Sequence, residues 1–97
     1  MFVKYRWLSL NTVLKFLPEI ERQNVSKVAR SERGFITHYR KYGYADKMKQ
    51  MIVPNENITW DQKRTAFIDR TLPAYQAQPT YRRYLSLIAW AFDPSKK

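Results

Sequence analysis

The chain has 97 residues and carries 18 lysines and arginines against 8 acidic residues, a net charge of +10. Hydrophobic residues make up 44% and aromatic residues 15%, enough for a packed core, so a disordered chain is disfavoured. Cysteine is absent and histidine occurs once, which excludes a disulfide framework and thiolate metal sites. No apolar run reaches the roughly 18 residues of a membrane-spanning helix. We therefore expect one small basic domain over 1–97, with no cofactor and no metal.

The N-terminal residues alternate apolar and basic side chains, a pattern typical of a strand or an extended segment. We expect 1–8 to form an extended arm that packs on the core or pairs with a second copy, so a homo-oligomer is a further prediction. Ser9 or Asn11 is suited to cap a first helix, whose apolar residues over 10–17 repeat with helical spacing. Pro18 should stop or restart this helix.

The middle of the chain reads as short helices joined by polar turns. A weakly amphipathic helix is predicted over 19–30, and Ser31 is a good N-cap for a second helix over 32–42. Gly43 follows that helix, where a left-handed residue commonly ends one. A further helical turn or two is predicted over 45–52.

The last third has clearer helix signals. Thr59 and Gln62 form a capping box for a helix that Pro73 should end or kink. The segment 81–92 is apolar nearly all round, so we expect it to be central and buried, before a short basic tail at 95–97. The fold class predicted is all-α: a small bundle of four to five short helices with an extended N-terminal arm.

The positive charge is concentrated in one part of the chain. The segment 22–49 contains eight basic and two acidic residues, which accounts for +6 of the net charge of +10. A polar, basic face on the helix over 32–42 is typical of an element that contacts a nucleic-acid backbone, although an ordinary solvated face has the same pattern. A helix-turn-helix over 25–43 is weakly indicated, because Gly34 lies five residues after Ala29, where that motif usually has four.

Two further cations, Arg82 and Arg83, stand at the predicted start of the last helix. Cations there oppose the helix dipole, whereas the free N–H groups and two guanidinium groups suit a phosphate. Tyr81 and Tyr84 flank the pair and could stack on bases. The alternative is that both arginines pair with carboxylates elsewhere in the chain.

These patterns predict a non-catalytic protein that binds nucleic acid, DNA or RNA, through phosphate contacts. The residues expected to carry the contacts are Lys27, Arg30, Arg33, Arg40, Lys41, Arg82 and Arg83, with Tyr81 and Tyr84 stacking. The alternative function is a protein-interaction module, an adaptor or inhibitor of an acidic partner.

An enzyme is not predicted, since His38 stands alone. If the protein were an enzyme, it would be a small nuclease using His38, Asp61 and Asp69. Trp7, Trp60 and Trp90 are expected to anchor the core.

Three blocks of the chain resemble small uncharacterised basic proteins of phage and large-virus genomes. The blocks are Val28-Ala29-Arg30-Ser31-Glu32-Arg33-Gly34-Phe35 with Tyr39, then Trp60, Lys63-Arg64, Phe67-Ile68 and Arg70, and finally Pro79-Thr80, Arg83, Leu85, 87–92 and Pro94. The segment between the first two blocks departs from the pattern, being longer and rich in methionine. The resemblance implies no activity. It implies a viral or phage origin. Separately, no signal peptide or targeting segment is indicated, so we expect a cytoplasmic protein, in the host cytoplasm if the protein is viral.

Overall fold

The computed structural model describes residues 5–96, so 1–4 of the predicted arm and Lys97 of the predicted tail lie outside the described residues. Within this range the chain is helical and has no strand, which confirms the all-α fold class. The α-helices are α1 (Leu10–Arg22), α2 (Lys27–Arg30), α3 (Phe35–Tyr42), α4 (Ala45–Met48), α5 (Trp60–Ala77) and α6 (Tyr81–Ile88), followed by a 3-10 turn at Pro94–Lys96.

Pro18, predicted to stop or restart a helix, and Pro73, predicted to end or kink one, both lie inside helices. α1 begins at its Ser9 cap, whose hydroxyl accepts from the N–H of Thr12, and it continues past Pro18. Continuation places Ile20 in the core, fully buried. α5 likewise continues past Pro73 after the predicted capping box at its start. An interior proline costs a helix roughly 3 kcal/mol, and burial of Ile20 outweighs that cost in α1, whereas the residues of α5 beyond Pro73 are exposed or half-buried.

The segment between α1 and α3 also differs from the prediction. α1 ends at Arg22, and Asn24 then takes a left-handed conformation with φ 53°. Ser31 does not cap α3: its hydroxyl donates to the carbonyl of Val28, 2.6 Å away, at the end of α2. Gly34 is the N-cap instead. The predicted helix over 19–30 is therefore divided between the end of α1 and the single turn α2, and the predicted helix over 32–42 begins only at Phe35.

The core is built around Phe35 at the start of α3. Its ring lies 5.3 Å from Trp7, 5.9 Å from Trp60 and 4.9 Å from Trp90, measured between ring centroids. The three tryptophans come from the N-terminal segment, α5 and the turn after α6. Their expected role as core anchors is confirmed.

The segment predicted to be a buried helix over 81–92 is buried mainly from Leu85 on, while the first turn of α6 is exposed or half-buried, and the helix ends at Ile88. The N–H of Phe92 donates to the carbonyl of Leu87 and that of Ala91 to Ile88, a Schellman pattern that closes α6. Ala91 has φ 60° where this motif usually has glycine. The chain therefore reverses over 89–92 and turns its carbonyl groups toward α5.

Arg64 of α5 receives these carbonyl groups. It is 1% exposed, and its guanidinium donates to the carbonyls of Trp90 (2.7 Å) and Ala91 (2.9 Å). It also donates to the carbonyls of Tyr5 (3.0 Å) and Arg6 (2.9 Å). One side chain therefore ties α5 to both the turn after α6 and the N-terminal segment.

The charge of Arg64 is compensated without a direct carboxylate contact. Burial lowers the pKa of Arg64 to about 10, while the nearby charge of Asp61 opposes that shift. The guanidinium also lies 4.5 Å from the centre of the Trp7 ring, within cation–π range. Because a pKa of about 10 is well above neutrality, Arg64 carries its charge at neutral pH.

The N-terminal segment packs on the chain's own core. The N–H of Leu8 donates to the carbonyl of Ala91, and the hydroxyl of Tyr39 donates to the carbonyl of Leu8 at 2.7 Å. For 5–8, the structure therefore has the first of the two predicted arrangements of the arm. Pairing with a second copy stays a prediction.

We predict that Gly34→Ala destabilises the protein more than Gly43→Ala. A Cβ at Gly34 would lie 2.2 Å from the carbonyl oxygen of Val28, so α2 and α3 would have to separate, at a cost of at least about 2 kcal/mol. A Cβ at Gly43 meets open space, and only its left-handed φ of 88° costs about 1 kcal/mol. Urea unfolding of both variants measures the difference, and equal losses would contradict the close approach.

We also predict that Arg64→Lys lowers the free energy of unfolding by about 3 kcal/mol, because an ammonium group cannot reproduce a planar fork of hydrogen bonds. The matched control is the reverse exchange at the neighbouring position, Lys63→Arg, which is partly exposed and should stay within about 0.5 kcal/mol of the parent. Similar unfolding midpoints for the two variants would show that the hydrogen bonds of Arg64 do not stabilise the contact of α5 with the N-terminal segment and the turn after α6.

Candidate functional site

Four of the predicted phosphate contacts form an exposed set on and beside α3. Lys27 lies in α2, Arg33 precedes the N-cap of α3, and Arg40 with Lys41 occupies its last turn. All four are exposed, whereas the opposite side of α3 is buried. We call these four residues the α2–α3 cations.

The α2–α3 cations have no carboxylate partner in the part of the chain that the structure describes. The ion pairs there join Glu19 to Arg22, Asp46 to Lys49 and Glu56 to Lys63. Glu32 is the one acidic residue between Lys27 and Lys41, and it is exposed. The donors of the α2–α3 cations are thus not occupied by any carboxylate of the described chain.

The fifth residue predicted in this region, Arg30, is held by the fold. Its Nε donates to the carbonyl of Val25 at 3.0 Å, and its Nη2 donates to the side-chain oxygen of Asn24 at 3.1 Å. These bonds close the turn between α1 and α2. Arg30 therefore has a structural role that the sequence pattern did not indicate.

Arg82 and Arg83 also have a structural role. The prediction from the helix dipole, that cations at a helix start are unfavourable, is therefore incomplete for these two residues. Arg82 donates to the carbonyl of Gln23, the C-cap of α1. Arg83 donates to the carbonyl of Gln78, the C-cap of α5, at 3.0 Å. A cation at the carbonyl end of a helix interacts favourably with its dipole, which offsets the unfavourable position of each arginine in α6. Neither pairs with a carboxylate within residues 5–96.

Tyr81 and Tyr84 are not equivalent. The Tyr81 hydroxyl donates to Glu19 at 3.0 Å, although the residue is 47% exposed. Hydrogen bonds from Arg22 and then Tyr81 lower the pKa of Glu19, whereas burial and the bond to Glu19 raise the pKa of Tyr81. Tyr84 is partly buried between the rings of Phe16 and Tyr75, so its predicted stacking role does not fit its packing. Tyr81 keeps part of its surface accessible.

The residues of the nuclease alternative are not brought together as a metal site. His38 is buried and its Nδ1 lies 2.9 Å from the carbonyl oxygen of Gly34, while its ring packs 4.9 Å from Trp60. Asp61 accepts from the indole N–H of Trp7 at 3.2 Å, and Asp69 accepts from the hydroxyl of Tyr5. No group of three metal-ligating acidic or histidine side chains occurs among the described residues.

A groove of about 380 Å³ lies between α2 and α5, and sequence reasoning missed it. Lys63, Phe67 and Arg70 line it from α5, and their spacing is the signal that could have indicated a shared face. α2 contributes Lys27 and Val28, and the lining is completed by Ser26, Ala29 and Trp90. We call this the α2–α5 groove. It has three cations and no carboxylate in its lining.

A larger cavity, of about 700 Å³, lies where the N-terminal segment meets α3. Arg6 is the one cation of its lining, and Asp93 contributes a carboxylate that is already bonded to the backbone and hydroxyl of Ser95. Its charge is therefore nearly balanced, in contrast to that of the α2–α5 groove.

Comparison with known proteins finds no matching family model, curated protein or solved structure. The resemblance to phage and large-virus proteins stays a prediction. Within the described part of the chain, no helix is both long and apolar enough to cross a membrane.

We predict that Arg82→Gln and Arg83→Gln each lower the free energy of unfolding, by less than about 1 kcal/mol because both bonds are near the surface. Arg40→Gln removes an equal charge from a side chain with no partner within the described residues, and should leave thermal stability unchanged. Differential scanning fluorimetry compares the three. Equal melting temperatures would show that the two arginines do not hold the ends of α1 and α5.

Proposed function

We propose that the protein binds nucleic acid without catalysing a reaction on it, and that the α2–α3 cations contact the phosphates. The observation that carries the proposal is the exposure of Lys27, Arg33, Arg40 and Lys41 without a carboxylate partner among the described residues. Arg30, Arg82 and Arg83, also predicted from the sequence, hold the fold and add charge nearby rather than free donors.

The physical basis is electrostatic. Each phosphate that a cation neutralises releases condensed counterions, so affinity arises from positive charge without base-specific contacts. The protein has net charge +10, and its carboxylates are few and partly paired with cations outside this set. Such a surface supports binding to many sequences rather than to one.

A protein partner with an acidic surface is the second candidate function. The observation in its favour is the exposure of large apolar side chains, which nucleic-acid backbones do not need: Val28 is 75% exposed, Tyr44 59% and Ile52 56%. A complex with such a partner would resist nuclease and persist in high salt, because apolar contacts are not screened.

We expect binding of labelled duplex and single-stranded oligonucleotides to weaken steeply as salt rises. Replacing Arg40 and Lys41 together by glutamine should reduce the slope of log affinity against log salt by about 2 on duplex. The control is the double variant Lys15→Gln, Lys47→Gln, which removes the same charge from exposed positions on α1 and α4. Fluorescence anisotropy measures both.

Absence of binding at low salt would reject the proposed function. Equal loss of slope in the two double variants would reject the assignment to the α2–α3 cations, since the effect would then come from net charge alone.

A further inference from the structure

The α2–α5 groove combines an apolar interior with a cationic rim. Its aromatic wall is formed by Phe67, which is partly exposed, and is backed by Trp90, whose ring is nearly parallel to that of Phe67, with centroids 4.6 Å apart and planes inclined by 15°. Val28 stands at the side of α2 as the most exposed large hydrophobic residue described, at 75%. Ligand sites are usually apolar clefts of about 300–1,000 Å³ with a few placed polar groups, and the groove lies at the lower end of that size.

Trp90, which lines this groove, has an indole N–H that no acceptor of the described residues engages. The residue is 6% exposed, and its indole N–H has no acceptor within residues 5–96. The corresponding group of Trp7 donates to Asp61, and that of Trp60 is enclosed without a partner. The nitrogen of Trp90 is not enclosed, and the groove is the cavity that Trp90 lines. A ligand in the groove whose acceptor reaches this nitrogen would satisfy a donor that the described chain leaves open.

The positive charges around the groove favour a negatively charged ligand. Lys63 is paired with Glu56, whereas Lys27 and Arg70 are exposed and have no carboxylate partner in the described chain. The two unpaired cations come from opposite walls, α2 and α5. A ligand that fits has a flat body for the aromatic wall, an acceptor for the indole N–H and negative charge at its periphery.

We infer that the α2–α5 groove receives an unpaired base of single-stranded nucleic acid, with neighbouring phosphates on Lys27 and Arg70. The inference rests on the proposed function and narrows the ligand to single-stranded nucleic acid. A base has an aromatic face and carbonyl or ring-nitrogen acceptors, and the backbone of its nucleotide has a phosphate on either side. In a duplex those faces are stacked and paired, so the α2–α3 cations could contact its backbone but the groove would stay empty.

The experiment titrates the full chain with a short oligothymidylate and, separately, with a duplex of the same length. The first readout is the NMR correlation of the three indole N–H groups, assigned with single Trp→Phe variants. The signal of Trp90 should shift with oligothymidylate and not with duplex, while that of enclosed Trp60 serves as the internal reference. A shift of Trp90 with both ligands, or with neither, would overturn the inference.

The second readout is affinity measured by fluorescence anisotropy. Arg70→Gln should weaken binding of oligothymidylate about tenfold, the effect of losing one charged hydrogen-bonding group. Its control is Lys47→Gln, which removes one exposed charge outside the groove lining. Val28→Asp should weaken binding at least as much, and its control is Ile52→Asp, the same change at an exposed apolar side chain outside the groove.

The outcomes separate this inference from the proposed function. If duplex and single strand bind equally and the groove variants match their controls, the groove inference is wrong and the proposed function stands. If neither nucleic acid binds at low salt, both fail. If a glutamate-rich peptide shifts the Trp90 signal and oligothymidylate does not, the groove belongs to a protein partner and the inference is overturned.

Discussion

The fold depends on one buried cation. Arg64 places a guanidinium among four backbone carbonyl groups, two from the N-terminal segment and two from the turn after α6. Neither segment is a regular helix or strand where it meets Arg64, so those carbonyl groups have no partner in a helix or sheet ladder. A buried carbonyl without a donor is costly, and a buried charge without partners is more costly. The guanidinium of Arg64 and the carbonyl groups satisfy each other. These hydrogen bonds fix the position of α5 relative to the N-terminal segment and to the turn after α6.

The same turn connects the fold to the α2–α5 groove. The carbonyl of Trp90 accepts from Arg64 on one side, while its ring packs on Phe67 and lines the groove on the other. The groove therefore has a rigid wall that comes from the core itself. Its opposite wall is α2, a single turn held close to α3 because Gly34 has no side chain to separate them.

The cations of this chain divide into two groups that composition cannot distinguish. Arg82 and Arg83 donate to backbone carbonyls at the carboxyl ends of α1 and α5, where positive charge is favourable, and Arg30 donates to the turn between α1 and α2. Arg33, Arg40 and Lys41 have no such acceptor within the described residues and remain in solvent. The net charge of +10 thus includes cations that hold the ends of α1 and α5 and cations that remain unpaired on and beside α3.

The sequence by itself determined what depends on near neighbours: the all-α class, the Thr59 capping box, the left-handed Gly43 and the buried apolar segment before Asp93. It could not determine what depends on residues far along the chain. Whether Pro18 breaks a helix is decided by the burial of Ile20, and whether Arg64 is a surface cation or the central tie is decided by carbonyl groups about 26 and 59 residues away. The groove has the same origin, because α2, α5 and Trp90 meet only in the folded chain. Local propensities are worth tenths of a kcal/mol per residue, and tertiary burial and long-range hydrogen bonds exceed them at these positions.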